Sequence, residues 1–320
     1  MKLQPQTKLS TFLFSGVVLM MMSLGPTTAH AGDESIFFAS DIHDAYDTVF
    51  SDLFLYRNPD SVYYCCESYA LVGDYNSVEG GDYLSVESDD AFLINQMPQF
   101  ANRILAGGNH DVKPGERALI TPSGLVTSMI NVDGSSTPLV GGTNYDLFVI
   151  DYLDFTNDEM VSALLDYFAQ DTHKVLVVLS HYPLHSTRDN DEEWIFASRR
   201  FFLLLQAYGI GRDIIFVWGH NHRLAEFDAY VDYVAMPGET IRAADPPSPE
   251  IDDMLIDSVA DTNLSFTYLN AGYIKPGVLS SNYTIVTIGD TDIEVKRYLY
   301  VEDGVDQVET VEQVPRKDLP

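Results

Sequence analysis

Cysteine is nearly absent from this chain. Of 320 residues only Cys65 and Cys66 are cysteine, and they are neighbours. Two such residues cannot scaffold a small exported fold with disulfides. No third and fourth ligand of matching pattern sits nearby, so the pair does not read as a zinc site. A bond between adjacent cysteines is strained and uncommon, and two buried thiols are the expectation. Basic residues are also scarce: 18 Lys and Arg stand against 48 acids, a net charge of −30. The nearest thing to a basic cluster is Arg199-Arg200. Phosphate backbones are bound through Lys and Arg, so this composition argues against a nucleic-acid partner. An acidic surface suits a salt-rich or calcium-rich medium; an ordinary solvated face is equally compatible.

Long apolar runs are missing too, except at the amino terminus. Lys2 and Lys8 precede a mainly apolar run of 14 residues, Thr11 to Leu24, and Ala29-His30-Ala31 has the small-x-small form of a cleavage site. Residues 1–31 therefore read as a signal peptide, with Gly32 the first residue of the mature chain. The rival is an uncleaved anchor, but the run falls short of the roughly 20 residues that span a bilayer. No cysteine follows closely enough for a lipid anchor. The expectation is an exported protein, extracellular or periplasmic, with no stable membrane span. Removing Lys2 and Lys8 takes the net charge from −30 to −32. Residues 32–301 fit one large domain, and 46% hydrophobic residues is ample for its core. Residues 302–320 are acidic and aperiodic, and read as a loose tail.

Apolar runs alternate with amphipathic segments along the domain. Strands are expected at 36–39, 69–72, 103–106, 145–150, 174–179 and 214–218, and helices at 45–55, 90–100, 158–169 and 192–208. The end of the chain is richer in strands, at 227–236, 265–269, 283–288 and 293–300, with Gly289-Asp290-Thr291-Asp292 as a hairpin turn. Residues 243–261 carry Pro, Ser and acids and read as a surface loop. Such alternation argues for a layered α/β domain with mixed sheets. Asn263-Leu264-Ser265 and Asn282-Tyr283-Thr284 match glycosylation acceptors, a pattern common by chance.

Five short motifs follow the expected strand ends: Asp41-Ile42-His43, Gly73-Asp74, Gly108-Asn109-His110-Asp111, His181 before Tyr182-Pro183, and Gly219-His220-Asn221-His222. The chain has 8 His. With His30 in the leader, five of the remaining seven fall inside these motifs. A lone histidine is usually satisfied in a core; five beside Asp, Asn or Gly at strand ends are not explained that way. The carboxyl ends of strands are where α/β sheets gather their sites. Oxygen and imidazole donors with a shareable carboxylate suit a pair of metal ions.

In this order the motifs resemble the calcineurin-like metallophosphoesterase superfamily, from Asp41 to His222. The resemblance implies a four-layered α/β/β/α sandwich with two mixed sheets and the metal site on loops at the strand ends. It implies that Asp41, His43 and His222 hold a first metal. Asn109, His181 and His220 would hold a second, with Asp74 bridging. His110 would be the catalytic acid and Asp111 the partner that orients it. The implied reaction is attack of a metal-bridging hydroxide on a small or lipid-derived phosphoester. Family members with a purple iron site carry a tyrosine three residues after the bridging Asp. Here that position is Ser77, so such a site is not expected; manganese, zinc or iron remain open.

Weaker candidates complete the set. Gly80-Gly81-Asp82 repeats the second motif, but Asp74 is preferred because an apolar strand delivers it. His185, Arg188 and Arg242 are candidate substrate contacts, and Trp194 a candidate lid, each with an ordinary structural role as rival. Tyr268 to Tyr273 is a candidate pocket wall, with core packing favoured. Two other readings stay open: a nuclease-like phosphodiesterase, which the acidity disfavours, and a metal-binding protein without turnover.

Overall fold

The computed structural model describes residues 32–42, 53–54, 64–74, 95–108, 117–120, 126–127, 139–150, 164–170, 173–181, 208–209, 211–220, 231–234, 266–274, 281–300 and 306–317. Fourteen strands lie among them, and they form two sheets. The first runs β14 (Gln307–Pro315), β13 (Asp292–Leu299), β12 (Asn282–Ile288), β1 (Glu34–Ala39), β2 (Ser68–Val72), β3 (Asn102–Ala106), β4 (Arg117–Ile120) and β5 (Val126–Thr127). The second runs β10 (Val231–Val234), β11 (Thr267–Asn270), β9 (Ile214–Trp218), β8 (Val175–Leu179), β7 (Tyr145–Val149) and β6 (Val140–Gly141). Strands β1, β2 and β3 are parallel, as are β11, β9, β8 and β7, with antiparallel flanks on both sides. Both sheets are thus mixed, as the α/β reading expected.

The period-two alternation of each strand explains why the runs are apolar throughout. Ile36 and Phe38, Ala70 and Val72, and Ile104 and Ala106 point to one face. They pack against Leu147, Val177, Leu179, Ile215 and Val217 of the facing sheet. The intervening Phe37, Tyr69, Leu71 and Leu105 form a second core on the outer face with Leu53, Phe54 and Met97. Strands buried on both faces cannot afford polar positions. Each such aliphatic or aromatic side chain stabilises the fold by about 1.5–3 kcal/mol.

Helix is described at 164–168, inside the expected 158–169. The helices expected over 45–55 and 90–100 are described as helix only at 53–54 and 95–96. That over 192–208 lies outside the described residues except for Tyr208, and the loop 243–261 and the leader lie wholly outside. No described helix is long and apolar enough to cross a membrane.

Two expectations are corrected. The tail is not loose: Gln307–Pro315 forms β14 and pairs antiparallel with β13, with a register shift at Arg297/Tyr298. Its end is tied to both sheets. Arg316 donates to Asp213 Oδ2 at 2.6 Å and to Gly289 O at 2.8 Å, and Lys317 N donates to Asp213 Oδ1 at 3.0 Å. An isolated reading could not see the long β13 edge that recruits this segment. Second, Cys65 and Cys66 are joined in a disulfide. Local strain had argued against that bond, but tertiary contacts set the turn. Glu67 N donates to Ser35 O at 3.1 Å, Asn102 N donates to Glu67 O at 2.9 Å, and Cys66 is buried in the outer core. Asn282 is buried, which closes the Asn282-Tyr283-Thr284 triplet to glycosylation and leaves it a chance match; Asn263 lies outside the described residues.

Candidate metal centre

Strands β1, β2, β3, β8 and β9 each end where the apolar run stops at Gly or Ser. Asp41 follows β1, Asp74 follows β2 and Gly108 follows β3 in one sheet. His181 follows β8 and His220 follows β9 in the other. Because the two sheets stack, these carboxyl ends meet at one edge. Asp41, Asp74 and His181 are all but inaccessible to solvent.

The backbone there is held in an unusual state. Among the described residues, three that are not glycine have positive φ: Asp41 (53°), Asp74 (59°) and His220 (68°). All three are expected ligands. A left-handed conformation costs about 1–3 kcal/mol at each such residue, so the surrounding bonds must over-determine it. Asp41 N donates to Gly73 O at 3.0 Å, and His220 N donates to Asp41 Oδ2 at 3.0 Å. The ligand loops also approach too closely for side chains. A Cβ on Gly108 would stand 2.1 Å from Asp74 Oδ1, and one on Gly219 would stand 1.9 Å from Ser40 Oγ. That is the physical reason for glycine at these two motif positions.

His181 is the hub. Its Nδ1 lies 2.7 Å from Val72 O, so Nδ1 carries the hydrogen and Nε2 faces the site. Nε2 lies 3.2 Å from Asp74 Oδ2 and 3.2 Å from His220 Nδ1. Ligand atoms about 2 Å from a shared ion stand roughly 3 Å from each other, so the spacing suits one ion. Asp74, His181 and His220 each offer a ligand atom, all within 4.8 Å of one another. A carboxylate and two imidazoles match manganese, zinc or iron. The second nitrogen of His181 is already fixed by a carbonyl, as metal-bound histidines usually are. The residues present fit a metal.

Burial pulls the His181 imidazole down, but the charge and hydrogen bond of Asp74, the charge of Asp41 and the Val72 carbonyl outweigh it. Its pKa is raised from 6.5 to about 10. Without a cation the site therefore holds a proton between His181 and Asp74, and a metal must displace it. A folded-state pKa above the unfolded one gives stability that is complete below pH 6.5 and lost as pH rises through about 10. Lys317 works oppositely, pushed down to about 8 by burial against the pull of Asp213. The expected result is that the melting temperature of chelated chain, relative to His181→Gln, falls between those pH values. Adding Mn²⁺ below pH 10 should release a proton, read in weak buffer. A flat difference with no proton release would contradict this picture.

Residues 35–224 match the calcineurin-like phosphoesterase family. The chain belongs to that family. It is a metal-dependent phosphoester hydrolase in class, and the cluster just described lies within the matched residues. None of the curated proteins matches the chain. Three solved structures are similar to this phosphoesterase at low scores. A conserved Streptococcus pneumoniae protein named as a predicted phosphoesterase has TM-score 0.39 and 12% identity, covering 89% of this chain and 98% of that one. Vacuolar Protein Sorting 29 from Cryptosporidium parvum has TM-score 0.36 and 11% identity, covering 89% and 99%. A Staphylococcus aureus protein labelled a 5′-nucleotidase, in complex with alpha-ketoglutarate, has TM-score 0.35 and 15% identity, covering 90% and 55%.

Of the nine expected site residues of this phosphoesterase, Asp41, Asp74, His181 and His220 are described, and they come together. His43, Asn109, His110, Asp111 and His222 lie outside the described residues, as do Asp82, His185, Arg188, Trp194 and Arg242. Sequence reasoning missed Ser40, whose Oγ donates to Val72 O at 2.8 Å, the carbonyl that also holds His181. Its only signal was its place beside Asp41. Tyr273, within the expected pocket-wall segment, is buried as core packing expects. Burial, and then the charge of Asp41, push its phenol up to about 12.

Proposed function

We propose that this chain is an exported hydrolase that uses two metal ions to cleave small or lipid-derived phosphoesters. The observation that carries the proposal is the convergence of Asp41, Asp74, His181 and His220, three of them in strained left-handed backbone. Strain of this kind persists where a site needs its side chains in one orientation. Asp41, His43 and His222 would hold one ion, Asn109, His181 and His220 the other, and Asp74 both. When bound, the ions supply an acidified water and a clamp for the phosphoryl oxygens.

The chain's own residues do the rest. Val72 O keeps the hydrogen of His181 on Nδ1, leaving Nε2 to the ion. The His220 N–H holds the Asp41 carboxylate in orientation. His110, steadied by Asp111, would donate a proton to the leaving oxygen. The strong acidity speaks for a small substrate over a nucleic acid. A Cys65–Cys66 disulfide suits the oxidising compartment that a signal peptide implies.

One preparation tests the reading. The exported protein, purified in metal-rich buffer, should begin at Gly32 by amino-terminal sequencing and carry about two metals by elemental analysis. It should hydrolyse chromogenic phosphoesters until a chelator is added. Full turnover after verified metal loss would sink the two-metal reading, and metal retention without turnover would favour a binding protein. An intact, membrane-bound amino terminus would refute export by cleavage.

A further inference from the structure

The two sheets meet at the metal centre, and among the described residues the segment 270–274 crosses between them there. Asn270 closes β11 in the six-stranded sheet, and Asn282 opens β12 in the eight-stranded sheet. Residues 270–274 bridge the gap with a bond at every step. Ala271 N donates to Trp218 O at 2.8 Å. Gly272 N donates to the side-chain Oδ1 of Asn270 at 2.9 Å. Tyr273 N donates to Asn282 Oδ1 at 3.0 Å, and Asn282 N donates back to Tyr273 O at 2.9 Å. Ile274 N donates to Ser40 O at 3.2 Å.

The ends of this crossing matter most. Trp218 stands two residues before His220, and Ser40 directly before Asp41. Both ligands sit in left-handed backbone that does not hold itself. Gly272 makes the crossing tight: its φ is +108°, and a Cβ there would stand 2.6 Å from Asn282 O. Asn270 and Asn282 are buried amides outside the expected ligand set. A loop that only satisfied its own backbone would not need to end on the carbonyls preceding two ligands in different sheets.

We propose that residues 270–274 are a brace that sets the separation of the Asp41 and His220 loops, with Asn270 and Asn282 as positioning residues. They act through the carbonyls of Ser40 and Trp218 and touch neither substrate nor metal. The inference rests on the reading that Asp41 and His220 are metal ligands. If those two hold different ions, the brace governs the spacing of the pair.

The test uses the full chain equilibrated with graded Mn²⁺. It reads bound metal, melting temperature, and kcat and KM on bis(p-nitrophenyl) phosphate. Asn270→Ala should weaken apparent Mn²⁺ affinity about 10-fold, the usual effect of losing a group that orients ligands. Its kcat should fall at low Mn²⁺ and recover in excess, with KM little changed. Asn270→Asp, which keeps the Oδ1 acceptor for Gly272 N, should restore affinity. Val295→Ala, in the inter-sheet core, should lower the melting temperature without moving Mn²⁺ affinity. Asn282→Ala, which removes the acceptor for Tyr273 N, gives the same readout if Asn270→Ala does not fold. The proposal is overturned if Asn270→Ala behaves as Val295→Ala does, or if Asn270→Asp fails to restore affinity. His220→Ala separates the two levels. If it leaves Mn²⁺ affinity intact, the ligand reading fails; if it weakens affinity and Asn270→Ala does not, the brace alone fails.

Discussion

Asp74→Asn should remove both metal and turnover. Groups that merely orient a ligand cost about 10–100-fold when lost, so a shared ligand should cost more than roughly 100-fold. The fold should survive, because asparagine tolerates the left-handed backbone that Asp74 adopts at φ 59°. The carboxylate also holds the His181 proton, 3.2 Å away. Its loss should therefore lower the pKa of that imidazole as well as metal content. Asp82→Asn should do little. Elemental analysis and rate constants on both variants check the choice; if Asp82 proves the sensitive one, the second motif has been assigned to the wrong Gly-Asp pair.

His110→Ala should separate binding from chemistry. A non-ligand acid can be removed without disturbing the ions, so metal content should hold while the rate falls roughly 10²–10⁴-fold. The loss should be smallest for a nitrophenyl ester, whose leaving oxygen needs no proton, and largest for an alkyl ester. His220→Ala should instead lower metal occupancy and slow all substrates alike. Equal losses on both esters, or metal loss on a par with His220→Ala, would refute the acid role of His110.

Much of this was readable along the chain because the signals are local. The runs Ile36 to Ala39, Tyr69 to Val72 and Ile214 to Trp218 are buried on both faces, so each is apolar until its strand ends. Polar residues and glycine then mark the ligand loops. The hairpin at Gly289-Asp290-Thr291-Asp292 was likewise legible, and Gly289 N donates to Asp292 O at 2.9 Å. β14 was not. Its valines, Val308, Val311 and Val314, fall at intervals of three and give no strand period, and a register shift interrupts the pairing. Only the open edge of β13 makes that segment a strand. The Cys65–Cys66 bond was hidden for a similar reason, since the turn that brings it about is set by Ser35 and Asn102 from other strands.

The sequence by itself determined the donor inventory, the motif order that marks the family, the acidity and the placing of donors at strand ends. Each follows from residue type and from the local alternation of apolar and polar positions. Only the tertiary structure decided which donors meet and in what state. Asp41 and His220 take a left-handed backbone that bonds to residues from other strands hold there. Val72 O chooses the His181 tautomer from a different sheet, and residues 270–274 tie the two ligand loops together. Those relations join residues far apart in the chain, 179 apart in the bond from His220 N to Asp41 Oδ2. No local preference encodes them, because they exist only once two sheets have packed face to face.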